Sequence, residues 1–190
     1  RKQLIQVDIL MGRGLAKRPL NMLNSFIRLA KKFELYDELV EALEYKQRLV
    51  FDTDGLAPYE RILEKVDFYE KCREFLRLTK RIQRELEVQL LRKSYSKIVS
   101  EEITLQLEQI EKYYVDTKSA NIQSYLLLMK LRIAGIEENF VLSALIIRQL
   151  IALLTTSPAL FSRARISYLK RELANVEYSS LNFMNSLQEL

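Results

Sequence analysis

The sequence predicts an all-α fold of about eight helices that pack as antiparallel pairs, and three observations carry that expectation. Apolar residues recur at three- and four-residue spacing along nearly the whole chain, and no run alternates strictly for the length of a strand. Only four glycines and three prolines occur in 190 residues, too few for the many tight turns of a sheet-rich fold. A composition of 48% hydrophobic and 29% charged residues fits neither a disordered chain nor a membrane bundle.

The first helix runs from Lys2 to Met11 and ends at Gly12 and Gly14, which relieve the backbone. The second starts near Pro19, a favourable first-turn residue, and carries Leu20, Leu23, Ile27 and Ala30 on one face. The third spans Asp37 to Phe51 with Leu39, Val40, Leu43 and Val50 inward, and "DTDG" stops it. A long fourth segment runs from Pro58 to Arg92. Its Ile62, Val66 and Tyr69 point differently from Phe68, Cys72, Phe75, Ile82 and Leu86, so it needs cover on two sides.

Ser100 is the expected N-cap of a fifth helix reaching Tyr114, and Ser119 that of a sixth reaching Ala134, which Gly135 closes. The acidic pairs Glu101/Glu102 and Glu137/Glu138 suit first turns, at the positive end of a helix. The seventh helix, "NFVLSALIIRQLIALL", is apolar nearly all round. At about 24 Å it falls short of the roughly 30 Å hydrocarbon layer, so it reads as buried or partner-covered. Ser157 and Pro158 are expected to cap and start the eighth. There Leu169, Leu173, Val176, Ser180, Phe183, Leu187 and Leu190 form a coiled-coil-like seam, which suits packing on the seventh helix or a homo-oligomer contact.

Composition excludes several kinds of chemistry. Without histidine there is no imidazole base, no Ser-His or Cys-His pair and no histidine metal ligand. Cys72 is the single cysteine, so no internal disulfide or thiolate zinc cluster forms, and its apolar neighbours suit a small buried group. "DTDGLAPYE" lacks the ligand spacing of a calcium loop, and "GRG" lacks the strand and pattern of a phosphate loop. No cofactor is expected, and the chain reads as a non-enzyme. It begins without a secretory signal, which suits the cytoplasm, and both ends fall in helical patterns, as in a piece of a longer chain.

Helices in series with short connections stack, which raises the question of a repeat. "IRLAKKFELYDELVEAL" from Ile27 aligns with "LRIAGIEENFVLSALII" from Leu131, and "LRLT" at Leu76 repeats the same short phrase. The stretch Leu23 to Val50, "LNSFIRLAKKFELYDELVEALEYKQRLV", resembles a tetratricopeptide repeat, and residues 125–158 resemble a second copy. The chain is similar to divergent bacterial helical-repeat regions of this kind. The resemblance implies one helical-repeat domain over residues 1–190, stacked as a right-handed superhelix that binds a protein or peptide without catalysis.

The net charge is +5, and the excess lies in residues 1–97, which hold 21 Lys/Arg against 15 Asp/Glu. Its sharpest feature is Arg73, Arg77, Lys80 and Arg84 at helical spacing, with Arg81 beside them. Such a stripe steers an acidic protein or, in an alternative reading, follows a nucleic-acid backbone. Tyr36 and Tyr69 are candidate groove walls, since a tyrosine ring has an apolar body and a polar tip. The expected role is a protein- or peptide-binding scaffold. The alternatives are a basic nucleic-acid module and a self-association domain using Leu169 to Leu190.

Overall fold

The computed structural model describes residues 2–12, 17–92 and 101–188. Among them are eight α-helices and no strand: α1 (Lys2–Gly12), α2 (Lys17–Lys32), α3 (Tyr36–Asp54), α4 (Leu56–Arg92), α5 (Glu101–Thr117), α6 (Ala120–Ile136), α7 (Phe140–Thr156) and α8 (Arg163–Gln188). Gly14 and Ser100, the expected stop and cap, lie outside the described residues. Pro19 and Pro58 fall in first turns, where the missing N–H has no helical partner to lose.

Backbone packing groups the chain into two units, Arg1–Glu74 and Phe75–Leu190, which divide within α4. In the first unit α1 packs on α2 and α2 on α3. Val7, Leu23, Ala42 and Leu49 form the core, with Met22, Phe26, Ile27 and Tyr45 against it. Lys46 on α3 donates to Asn24 Oδ1 on α2 at 2.7 Å, while burial, and then Lys65, lower its pKa. Gly55, at φ +84°, makes the left-handed break between α3 and α4 that a side chain would resist.

The second unit has two cores that share α6. Ile82 and Leu86 of α4 and Ile103, Ile110 and Tyr113 of α5 meet Ile122, Leu126, Met129 and Ile133 on one side of α6. Leu127 and Ala134 on its other side meet Ile146, Ile147, Leu150 and Leu154 of α7, with Phe161 and Leu169. Of the α8 seam, Leu169, Leu173 and Val176 pack into this second core, and the side chains beyond Leu181 lie outside those described. A bridge between Arg148 and Glu177 ties α7 to α8. The seventh helix is covered on one side only: Val141 and Leu145 are exposed.

Two turns differ from expectation. Gly135 does not close α6, which runs one residue further. Glu138, at φ +54°, takes the left-handed position, the Asn139 N–H reaches the Ala134 carbonyl at 2.9 Å, and the Glu138 N–H reaches that of Gly135 at 3.3 Å. Glu137 and Glu138 therefore sit at the carbonyl end of α6, because Asn139 caps α7 by accepting from the Leu142 N–H at 3.0 Å. Ser157 ends α7 and α8 begins at Arg163, since burial of Phe161 holds the intervening segment as a turn. Phe68, expected inward, is exposed, while Thr79 is fully buried on the core side of α4. Ser119 caps α6 as expected, accepting from the Ile122 N–H.

The α2–α3 turn has the same geometry as the α6–α7 turn. Glu34 has φ +46°, the Leu35 N–H reaches the Ala30 carbonyl at 2.9 Å, and the Glu34 N–H reaches that of Lys31 at 3.2 Å. Ala30 and Ala134, Glu34 and Glu138, and the capping positions Leu35 and Asn139 occupy matching places in the aligned segments. So do the buried pairs Leu43/Ile147 and Val50/Leu154.

Candidate binding grooves

The residues singled out in the sequence fall into two groups. In the first unit Tyr36 is buried and stacks on Tyr69, with centroids 6.3 Å apart, and Phe68 meets Tyr69 edge-on. Beside them Arg73 reaches Glu70 Oε1 at 3.2 Å and Asp37 Oδ1 at 3.9 Å. Helix spacing sets this cluster: Glu70 and Arg73 are one turn apart on α4, and Tyr36 and Asp37 begin α3. Little of the Tyr36 ring remains for a partner. Cys72, next in the chain to Arg73, is 1% exposed; burial, and then the Glu34 carboxylate, push its thiol up to about 11.

In the second unit Arg81 donates to Glu85 at 2.8 Å, and that bond raises its pKa. Arg77 is engaged within the chain. Lys80 and Arg84 are exposed and have no ion pair among the described residues. Within the stripe, Arg73 and Arg81 are thus held by glutamates one turn away on α4, while Lys80 and Arg84 remain open.

Two concavities lie elsewhere, along α6. On one side α4 and α6 border a groove of about 410 Å3, lined by Gln83, Leu86 and Glu87 from α4 and Leu128, Met129, Arg132 and Ile133 from α6. On the other side α6 and α8 border a groove of about 540 Å3 above α7. Leu131, Gly135, Ile136, Ile147, Tyr168, Glu172 and Val176 contribute to it. Leu128 and Arg132 line both, so they form the ridge between two largely apolar channels. A Cβ added at Gly135 would meet nothing within 4 Å, so the floor of the larger groove is open there.

A third concavity of about 730 Å3 lies along α2 in the first unit, lined by Met22, Ser25, Phe26, Arg28, Leu29 and Lys32 among others. In the aligned hairpins Ser25, Arg28, Leu29 and Lys32 match Met129, Arg132, Ile133 and Ile136. Each of those four positions of α6 lines one of its grooves. The spacing i, i+3, i+4, i+7 is one helix face. On α2 Ser25 and Leu29 are exposed, whereas on α6 Met129 and Ile133 are buried in the core with α4 and α5, so what the two hairpins share at their concavities is the arginine.

Sequence reasoning missed Arg28, Leu128, Arg132, Tyr168 and Glu172. The available signal was the arginine inside the aligned apolar quartets "IRLA" and "LRIA". Among the described residues no group of three acidic or thiol ligands is placed to hold a metal ion, and no helix is long and apolar enough to cross a membrane. Comparison with protein-family models, curated proteins and solved structures gives no match.

Proposed function

We propose that the chain is a non-catalytic helical-repeat scaffold of the tetratricopeptide kind, which binds a segment of a partner protein in the grooves bordering α6. The observation that carries this reading is the matched pair of hairpins. Two stretches 104 positions apart have the same turn geometry, and each carries at a matching position an arginine that lines a concavity. Concave, mostly apolar surface with a few polar groups suits a peptide chain, whose apolar side chains fill the channel while its polar backbone stays near the rim.

The alternative, a basic helical module for nucleic acid, has less support, because Arg73 and Arg81 are already paired with carboxylates and Arg77 is engaged within the chain. Selection of a displayed peptide library against the chain tests the scaffold reading. Gly135→Phe serves as the groove-filled variant and Gly135→Ala as its matched control. Both should fold, since the added Cβ has open space, and folding is checked by circular dichroism. Peptides enriched on the wild type should bind Gly135→Ala and lose Gly135→Phe. The absence of enrichment, or equal binding to all three proteins, overturns the reading.

A further inference from the structure

The matched positions on α2 and α6 share an arginine at a concavity. Arg132 and Arg28 are both exposed, both line a concavity, and neither has an ion pair among the described residues. Arg73, Arg81 and Arg148, by contrast, each have a carboxylate partner. A guanidinium left unpaired beside apolar side chains is a ready donor to a carboxylate, because incoming apolar groups exclude water and strengthen the charge-assisted hydrogen bonds.

Around Arg132 the flanking charges narrow the choice further. Glu87, held by a hydrogen bond from Gln83, borders the α4 side, and Glu172 borders the α8 side. From α4 across α6 to α8 the face therefore runs negative, positive, negative. Channels on the two sides of one helix are separated by about one interaxial distance, roughly 8–10 Å. In an extended chain residues i, i+2 and i+4 point to one side and span about 13 Å.

We infer that the α6 face reads an extended partner segment in which one acidic residue lies between two apolar ones, each a residue removed. The acid meets Arg132 and the apolar side chains enter the two grooves. Basic residues suit the positions outside them, opposite Glu87 and Glu172. The ligand is thus a protein segment with a single framed acid rather than an acidic tract. This inference rests on the scaffold reading above.

The probe is a fluorescein-labelled peptide, lysine-alanine-leucine-alanine-glutamate-alanine-leucine-alanine-lysine, whose charged and leucine side chains share one side of an extended chain, titrated into the full chain and followed by anisotropy and by amide chemical shifts of α6. Glutamine in place of the central glutamate, or Arg132→Gln in the protein, is expected to weaken binding about tenfold. A lysine-centred peptide should bind Arg132→Glu and not the wild type, and replacing the outer lysines by glutamates should weaken binding. Binding that is lost in Gly135→Phe but indifferent to the central charge overturns the framed-acid inference and leaves the groove reading standing. Groove-dependent peptides from the library that lack the pattern do the same. Binding indifferent to Gly135→Phe overturns both.

Discussion

Glu138→Gly should stabilise the protein, and the size of the effect follows from one backbone angle. Glu138 has φ +54°, a conformation that costs a residue with a Cβ about 1–2 kcal/mol. Glycine avoids that cost but gains unfolded-state freedom worth about 0.4–1 kcal/mol, so the net expectation is roughly 0.5–1 kcal/mol. The carboxylate lies between the carbonyl end of α6 and the N-terminus of α7, where the two helix dipoles oppose each other, so its removal adds little. Glu138→Ala isolates the backbone part, because it removes the charge and keeps the Cβ. Urea denaturation with an unchanged m-value should place glycine above alanine by about 0.5–1 kcal/mol. Glu34→Gly should show a smaller gain, since Glu34 is engaged within the chain and its carboxylate is lost as well. If glycine is no more stable than alanine at position 138, the left-handed turn and the pairing built on it are wrong.

Thr79 is fully buried and its hydroxyl has no hydrogen-bond partner, so Thr79→Val should raise stability by about 1 kcal/mol in the same titration; a loss would show that the hydroxyl is bonded. Leu150→Ala should cost about 2–5 kcal/mol and Leu145→Ala under about 0.5, because the first is fully buried and the second half exposed; equal losses contradict the described packing of α7. The Cys72 thiol rises from its ordinary 9.0 to about 11. The folded state therefore holds this proton more tightly than the unfolded state, and the resulting stability is full below pH 9 and lost as pH rises through about 11. Cys72→Ala should flatten the fall of stability over that window. Iodoacetamide at pH 8.5 should alkylate native Cys72 at least about a hundredfold more slowly than the urea-unfolded chain, and comparable rates would contradict the burial.

Helix existence was legible in the sequence because long amphipathic stripes with few glycines leave little alternative. Turns were less so. Gly135 resembles a helix stop, but the left-handed place falls three residues later on Glu138, where the chain turns to bury Ile146 and Ile147. Ser157-Pro158 resembles a helix start, yet burying Phe161 pulls that segment into a turn, an effect of tertiary contact that no local propensity encodes. The α4 stripe was visible as a charge pattern, but whether its members are free depends on the glutamates that reach them. The grooves were not visible at all, since they arise where α6 borders α4 on one side and α8 on the other.

The contrast between the two sets of arginines is what separates a solvated face from a reading surface. On α4, Glu70 and Glu85 sit one turn from Arg73 and Arg81, so local spacing alone satisfies the charge and leaves little to offer a ligand. On α6 the residues one turn from Arg132 are Leu128, Met129, Gly135 and Ile136, none of which carries a carboxylate. Pairing by a neighbouring helix is the remaining route, and Glu172 lines the same groove without closing it. A guanidinium in that setting keeps its charge at any working pH, because its pKa is far above neutrality. Its hydrogen bonds are therefore left for water or for an incoming carboxylate. Water serves while the groove is open, and a carboxylate serves better once apolar side chains fill it, so acid recognition and groove filling strengthen each other.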